Sequence, residues 1–301
     1  MFRERDDAPG LRPLTRVAWK AIRRTPIMFK YLKSLRDNFC LLKRARKMSQ
    51  LEPVRRVATA PTTGPFRAPW REPGWTPEEQ KIIKDFTELN YRRWRDNHYT
   101  MWISWLGYQI TKTPGDLIMY QEIITRTRPD VVIECGTGYG GGTLFLATIC
   151  DLVGHGKVIT VDPHNHEQDW PRPKHPLITY VDGSSADPGV FARVRELAGK
   201  PASALVILDS DHSRDHVLAE LRLYRELVPV GCYMVVEDSF VNGHPVMPEH
   251  GPGPWEAVDA FLAETDDFTP DRGCERFMLT VAPRGFLLRV KASDSAAQSA
   301  P

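Results

Sequence analysis

The chain has 301 residues, a formal net charge of +2, 42% hydrophobic and 26% charged residues. That is enough to bury a large α/β core, and it excludes both the polar, highly charged composition of a disordered chain and the cysteine-dense composition of a small secreted domain. The near-neutral total hides a division, because residues 1–60 hold 16 Lys/Arg against 5 Asp/Glu and the rest holds 24 against 33. No run of about 18 apolar residues occurs, so no membrane span is expected. The N-terminus also lacks the apolar stretch of a signal peptide. Five cysteines without metal-type spacing fit a reducing, cytoplasmic setting.

Residues 1–58 read as a basic helical arm. Trp19, Ile22, Ile27, Met28, Phe29, Leu32, Leu35 and Phe39 are interleaved there with Lys and Arg. Two roles stand side by side: peripheral contact with an anionic membrane surface, or packing on another subunit of a homo-oligomer. Pro61, Pro65, Pro69, Pro73 and Pro77 mark residues 59–77 as an extended linker. Thr76, Pro77, Glu78 and Glu79 form a helix start, and the helix is expected to run to Asp96. From Pro114 the pattern is regular. A helix is expected over 116–126 with Ile118, Ile123 and Ile124 inward, a strand over 131–134, a glycine turn, a helix over 142–152, and strands over 157–162 and 177–181. Strands at 205–208 and 232–236 flank a helix-length stretch at 213–228. Trp255, Val258, Phe261 and Leu262 recur at helical spacing and read as core. Residues 277–281 and 286–290, joined by a turn at 282–285, read as a closing hairpin. The expected fold is a doubly wound, Rossmann-like, seven-stranded α/β sheet with an antiparallel C-terminal hairpin, spanning 78–291. Residues 292–301 read as a disordered tail.

Two of these strands end abruptly in acid, at Asp209 and at Glu237 with Asp238. Parallel strands joined by one helix are usually neighbours, so their carboxyl ends converge on the edge where such sheets bind ligands. Three carboxylates that close call for a cation, and all-oxygen ligation suits Mg²⁺, giving Asp209, Glu237 and Asp238 as metal candidates. After the first strand of the regular stretch comes Glu134-Cys-Gly136-Thr137-Gly138-Tyr139-Gly140-Gly141-Gly142-Thr143, a turn that lets the backbone approach a ligand closely. Its Gly-x-Gly-x-x-Gly spacing alone is a weak signal for dinucleotides. Asp162 ends the next strand, where an acid suits a ribose diol, and Asp182, Gly183 and Ser184 end the one after, where adenine belongs. The carboxylate of Glu134 disfavours a pyrophosphate and favours the ammonium and sulfonium of S-adenosylmethionine.

The Glu134-x-Gly136-x-Gly138 turn resembles the first motif of class I S-adenosylmethionine-dependent methyltransferases. Trp105-Leu-Gly107, Pro114, Asp116, the 120–124 stretch, Arg128-Pro-Asp130, Gly141-Gly142, Asp182 to Ser185, Leu208-Asp-Ser210 with His212, Asp215 to Val217, Glu237-Asp238 and Gly253-Pro254 resemble the group of rhamnosyl O-methyltransferases and cephalosporin-hydroxylase-like proteins. The resemblance runs from Trp102 to Val290. Thr143 departs from a more usual serine but keeps the hydroxyl. The resemblance implies Mg²⁺ at the acid-tipped strands, and the candidates for binding S-adenosylmethionine are Glu134, Gly136, Thr137, Gly138, Tyr139, Gly142, Thr143, Asp162, Asp182, Gly183, Ser184 and Asp209.

Transfer to an alcohol needs an in-line donor and acceptor, removal of a proton, and stabilisation of the alkoxide. Asp211 and His212 are the base candidates, with helix capping as the competing role. A sugar or glycoside diol is the expected acceptor, and no nucleic acid is expected. The 240–254 loop reads as a lid, with His244 and His250 facing substrate or water. Two other readings remain at this point. Asp209-x-Asp211 suits a metal-dependent glycosyltransferase, and the basic arm suits a non-catalytic assembly or membrane-docking protein.

Overall fold

The computed structural model describes residues 72–97, 102–163 and 171–292. The basic arm, most of the proline-rich linker and the C-terminal tail lie outside the described residues. Helix α1 (Pro77–Asn97) starts with a reciprocal cap: Glu79 N donates to Thr76 Oγ1 at 3.3 Å, and Thr76 N donates to Glu79 Oε2 at 2.8 Å. Strands β1 (Trp102–Trp105) and β2 (Tyr108–Thr111) then form an antiparallel hairpin that the sequence pattern did not signal. Helix α2 (Pro114–Thr127) is capped by Thr113, whose hydroxyl accepts Asp116 N at 3.1 Å, and stops at Arg128 in the left-handed region. Its inward face carries Leu117, Met119, Tyr120, Ile123 and Ile124. Ile118, expected inward, lies 100° round the helix from Leu117 and is 47% exposed.

Strand β3 (Val131–Cys135), helix α3 (Gly141–Val153), strand β4 (Lys157–Asp162) and strand β5 (Ile178–Asp182) follow. Helix α4 (Pro188–Ala198), absent from the sequence reading, is capped by Asp187, which accepts Gly189 N and Val190 N at 2.8 and 2.9 Å. Strand β6 (Ala204–Leu208), helix α5 (Arg214–Tyr224), strand β7 (Tyr233–Val236), helix α6 (Pro254–Glu264) and strands β8 (Phe268–Pro270) and β9 (Phe286–Arg289) complete the order.

The seven-stranded sheet has the order β5-β4-β3-β6-β7-β9-β8, with β5 to β7 parallel and β9 antiparallel to both its neighbours. Alternation along the strands divides the core in two. Val131, Ile133, Cys135, Val206 and Met234 face α4, α5 and α6, while Val132, Val158, Leu205, Ile207 and Val235 face α2 and α3. Each fully buried aliphatic side chain contributes about 1.5–3 kcal/mol, so the two faces together fix the register of every strand. A one-residue slip would exchange the two sets.

The closing pair is antiparallel as expected, but its first strand is 268–270 rather than 277–281. The latter segment is diverted over the start of α2. Val281 N donates to Asp116 Oδ2 at 3.0 Å, and Met278 has φ 71°, which interrupts an extended run. The expected turn exists, and Gly285 O accepts Val236 N at 2.9 Å, feeding β9 into the sheet.

Candidate active site

The chain winds from β3 outward to β4 and β5, then returns to start β6 on the other side of β3. Ligands of doubly wound sheets bind in the crevice opened by such a reversal. Two segments meet there. Gly136 N donates to Val161 O and Asp209 N donates to Cys135 O, both at 2.8 Å. Gly136 has φ 102°, and a Cβ on it would fall 1.9 Å from Asp209 O, so only glycine allows the turn and the acid to lie in contact.

The glycine turn is braced from below. Asp162 Oδ2 accepts Thr137 N and Gly138 N, each at 3.0 Å, and Thr137 Oγ1 lies 2.7 Å from Thr160 Oγ1. Asp162 therefore orients the turn, a role that the ribose reading did not foresee. A Cβ on Gly138 would meet nothing within 4 Å, so the turn leaves open space on that side. Tyr139 is 38% exposed at the same turn. Glu134 is buried, and its Oε2 accepts Thr143 Oγ1 at 2.5 Å and Thr160 Oγ1 at 2.8 Å. Burial pushes this carboxyl up to about 7, against the pull of the Lys112 charge and the two hydroxyls. Thr143 thus uses the hydroxyl that the sequence reading expected it to keep. A Cβ on Gly142 would sit 3.1 Å from Glu134 Oε1. At the end of β5, Asp182 is exposed and pairs with Arg172 at 2.9 Å. Gly183, with φ 138°, packs where a Cβ would strike Val190, and Ser184 O accepts Asp187 N.

Asp209, Glu237 and Asp238 do converge, as their strand ends required. Their company was not foreseen. Lys112, in the short link between β2 and α2, sends Nζ to Asp209 Oδ2 at 2.7 Å and to Glu237 Oε1 at 2.6 Å. Tyr120 OH donates to the same Glu237 oxygen. Among the described residues, the three-donor group close enough to hold one ion consists of Asp209, His212 and Asp238, whose ligand atoms all lie within 4.8 Å of one another. His212 Nε2 is 3.2 Å from Asp238 Oδ2. The expected metal set and this geometric set share Asp209 and Asp238. His212 stands beside the two shared acids, while Glu237 turns one oxygen, Oε1, to Lys112 and Tyr120. Burial and mutual repulsion push all three carboxyls up, and Lys112 and His212 pull them back. Acids held together at such a cost at a partly open edge, with an imidazole among them, fit a hard divalent cation. Asp238 has φ 52°, an uncommon backbone for a non-glycine residue and of the kind that clusters at functional sites.

The two base candidates separate. Asp211 is exposed, and its Oδ1 accepts Ser213 N at 2.8 Å and Ser213 Oγ at 2.5 Å, holding the turn into α5. His212 stands among the acids. Burial lowers the affinity of its ring for a proton, but Asp238 and Asp209 outweigh that and raise it overall. The 240–254 loop is anchored rather than free. Phe240, Val241 and Val246 bury against Tyr91 and Val281. His244 stacks on Trp255 at 4.2 Å and bonds Glu256 at 3.0 Å, which makes it a support of the loop. His250 Nδ1 lies 3.1 Å from Gly251 O.

Sequence reasoning missed Lys112 and the Tyr120 contact. A single lysine between two threonines carries no signal of its own; only the hairpin before it, itself unforeseen, turns it inward.

A family model described as Rhamnosyl O-methyltransferase/CmcI matches residues 97–290. Rhamnosyl O-methyltransferases of Mycobacterium bovis (strain BCG / Pasteur 1173P2) and Mycobacterium tuberculosis (strain ATCC 25618 / H37Rv) are each 42% identical over 190 residues, 62% of this chain and 78% of theirs. That of Mycobacterium leprae (strain TN) is 38% identical over 205 residues, covering 66% and 89%. Among solved structures, the apo-structure of CmcI-N160 is similar with a TM-score of 0.52 at 21% identity, covering 74% of this chain and 87% of that one. CmcI-D160 with Mg and SAM gives 0.51 at 18%, covering 76% and 90%; both likenesses bear on the fold. The matched segment contains the glycine turn, both acid-tipped strands and the hairpin that leads into Lys112. The chain therefore belongs to the rhamnosyl O-methyltransferase/CmcI family of class I S-adenosylmethionine-dependent O-methyltransferases.

Proposed function

We propose that this chain transfers a methyl group from S-adenosylmethionine to a hydroxyl of a sugar or glycosylated small molecule, with Mg²⁺ at the ends of β6 and β7. The observation that carries the reading is the meeting of a glycine turn with an acid–histidine cluster at the switch point, in a chain 42% identical to proteins named rhamnosyl O-methyltransferase. The buried Glu134 supplies negative potential behind the turn for a cationic donor, and Thr143 and Thr160 hold it in place. Asp162 fixes the turn's backbone, so that Gly138 and Tyr139 present their open side to the donor. The Asp182-Gly183-Ser184 end of β5 borders the same crevice and suits the adenine. The residues fit a divalent ion, and Asp209 and Asp238, common to both sets, are assigned to it. When bound, Mg²⁺ supplies Lewis acidity to an acceptor hydroxyl. His212 is kept off the ion in this assignment, so that its imidazole would accept the hydroxyl proton as the methyl group passes from the donor sulfur to that oxygen, with Asp238 beside it to stabilise the imidazolium. The loop anchored on Tyr91 follows Asp238 directly and is assigned the role of a cover that limits water at this edge. Residues 1–58 are assigned to contact between subunits or with anionic lipid, outside the catalytic body at 78–291.

Calorimetric titration separates this reading from the glycosyltransferase one, which Asp209-x-Asp211 had left open. S-adenosylmethionine is expected to bind saturably to the full chain, with no heat from a uridine or thymidine diphosphate sugar in the presence of Mg²⁺. Binding of the sugar nucleotide without binding of the methyl donor would overturn the proposal.

A further inference from the structure

Helix α5 turns His216 and Glu220, one turn apart, toward the loops that follow β5 and β6, and neither takes part in the chemistry proposed above. Glu220 is fully buried. Its Oε1 accepts Ser210 Oγ at 2.7 Å and lies 3.6 Å from His216 Nε2. Its Oε2 is buried with no hydrogen bond among the described residues. Glu220, helped by Asp211, raises the proton affinity of the His216 ring against the effect of burial. For packing alone, an apolar side chain of similar volume would serve this position as well or better than a carboxylate with so few donors.

What the two residues hold is a pair of serines from separate loops. Ser210 follows Asp209 at the end of β6, and Ser185, itself buried, follows the Asp182-Gly183-Ser184 end of β5. Ser185 Oγ donates to Ser210 Oγ at 3.2 Å, and His216 Nε2 lies 3.2 Å from Ser210 Oγ and 3.3 Å from Ser185 Oγ. In the sheet β5 and β6 are not neighbours, since β4 and β3 stand between them. The serines therefore join two strand ends that the backbone ladder leaves apart. They do so beside the glycine turn, because a Cβ on Gly136 would fall 3.2 Å from Ser210 Cα. Each hydroxyl has one proton to give, so the bonds run from Ser185 to Ser210 to Glu220, and the carboxylate fixes their direction.

We propose that Glu220 is a positioning residue for the methyl donor: acting through Ser210 and Ser185, it holds the loop at 182–187 to the loop at 209–213 and so fixes the width of the crevice where the adenine end of the donor lies. The inference rests on the donor assignment in the proposed function and does not depend on a metal. It gives a buried carboxylate a use that stability alone does not supply.

The test is calorimetric binding of S-adenosylhomocysteine to the full chain with no metal or acceptor added, beside urea denaturation of the same proteins. Glu220→Met should weaken binding by about tenfold, through loss of a hydrogen bond to a charged group, while resistance to urea is kept or raised. Glu220→Gln, whose carbonyl can still accept Ser210 Oγ, should stay within about threefold of the parent chain. Ser185→Ala should also weaken binding, and the Ser185→Ala/Glu220→Met double variant should be little weaker than the poorer single variant, because both break the same chain of bonds. Parent-like affinity in folded Glu220→Met, or a double-variant loss equal to the product of the two single losses, overturns the inference and leaves the donor assignment standing. A parent chain that does not bind S-adenosylhomocysteine overturns both. If Glu220→Met does not fold, Ser210→Ala takes its place beside Ser185→Ala, with the same two outcomes deciding.

Discussion

Glu134→Gln is a perturbation whose sign and size follow from the site. The carboxyl has an ordinary value of 4.5 and is pushed up to about 7 by burial. Between those limits the unfolded chain has released the proton and the native state has kept it. The native state therefore binds more protons, and stability falls as pH rises from about 4.5 to about 7. Each pH unit of that difference is worth about 1.4 kcal/mol, so the ionised Glu134 burdens the native protein by about 3 kcal/mol above pH 7. Glutamine has nearly the same shape, and its carbonyl can accept the hydroxyls of Thr143 and Thr160 that now meet Oε2. The variant should match the parent near pH 4.5 and be more stable than it by about 2–3 kcal/mol at pH 7.5. Urea denaturation of both proteins across that range, without donor or metal, measures the difference; subtraction cancels the titration of the other acids. The same variant should bind S-adenosylmethionine more weakly above pH 7, because the negative potential behind the turn is gone. A stability difference that stays flat between pH 4.5 and 7.5 would refute the placement of a destabilised carboxylate at this position.

Gly136→Ala should disable the donor turn and Asp209 together, since its Cβ would overlap Asp209 O at 1.9 Å and its φ is 102°; loss of donor binding with metal binding intact would show that the two are not coupled. His212→Ala should lower turnover about 10²–10⁴-fold with donor binding retained, whereas Asp211→Asn should change turnover little, because Asp211 is engaged with Ser213. Tyr120→Phe removes the hydroxyl that meets Glu237 and should lower stability by about 1–3 kcal/mol, read by chemical denaturation. Glu256 is pulled down to about 2: burial opposes ionisation, but Gly253 N, His244 and Asn242 outweigh it. Its support of the loop should be fully present above about pH 4.5 and lost as pH falls toward 2, and Glu256→Gln should remove that acid sensitivity in proteolysis of the loop.

The strands were legible where both faces are buried. Apolar runs at 131–134, 157–162 and 205–208 leave no choice of period, and their acid tips announced the edge that matters. The glycine turn was equally legible, since Gly136 has no substitute where β3 meets Asp209. What failed depended on distant partners. Residues 277–281 have strand composition, yet Asp116 captures Val281 N and the segment folds over α2 instead. Strand β8 is only three residues long and too short to leave a pattern. Nothing in the sequence signalled the cation that the chain itself brings to Asp209 and Glu237, because Lys112 enters the site through 97 residues of sequence separation from Asp209. Asp162 was placed at the right strand end, while its bonds to Thr137 N and Gly138 N depend on how tightly the turn closes, which spacing does not reveal.

The central claim is transfer of a methyl group to a sugar oxygen. The direct measurement is incubation of the full chain with S-adenosylmethionine carrying a ¹³C-methyl group, Mg²⁺ and a panel of deoxysugar glycosides, catechols and amines, with products read by nuclear magnetic resonance. The account predicts a new O-methyl signal on a sugar hydroxyl next to a second hydroxyl, abolished by chelator and by His212→Ala. Label found only on nitrogen, or transfer that survives exhaustive chelation, would contradict it.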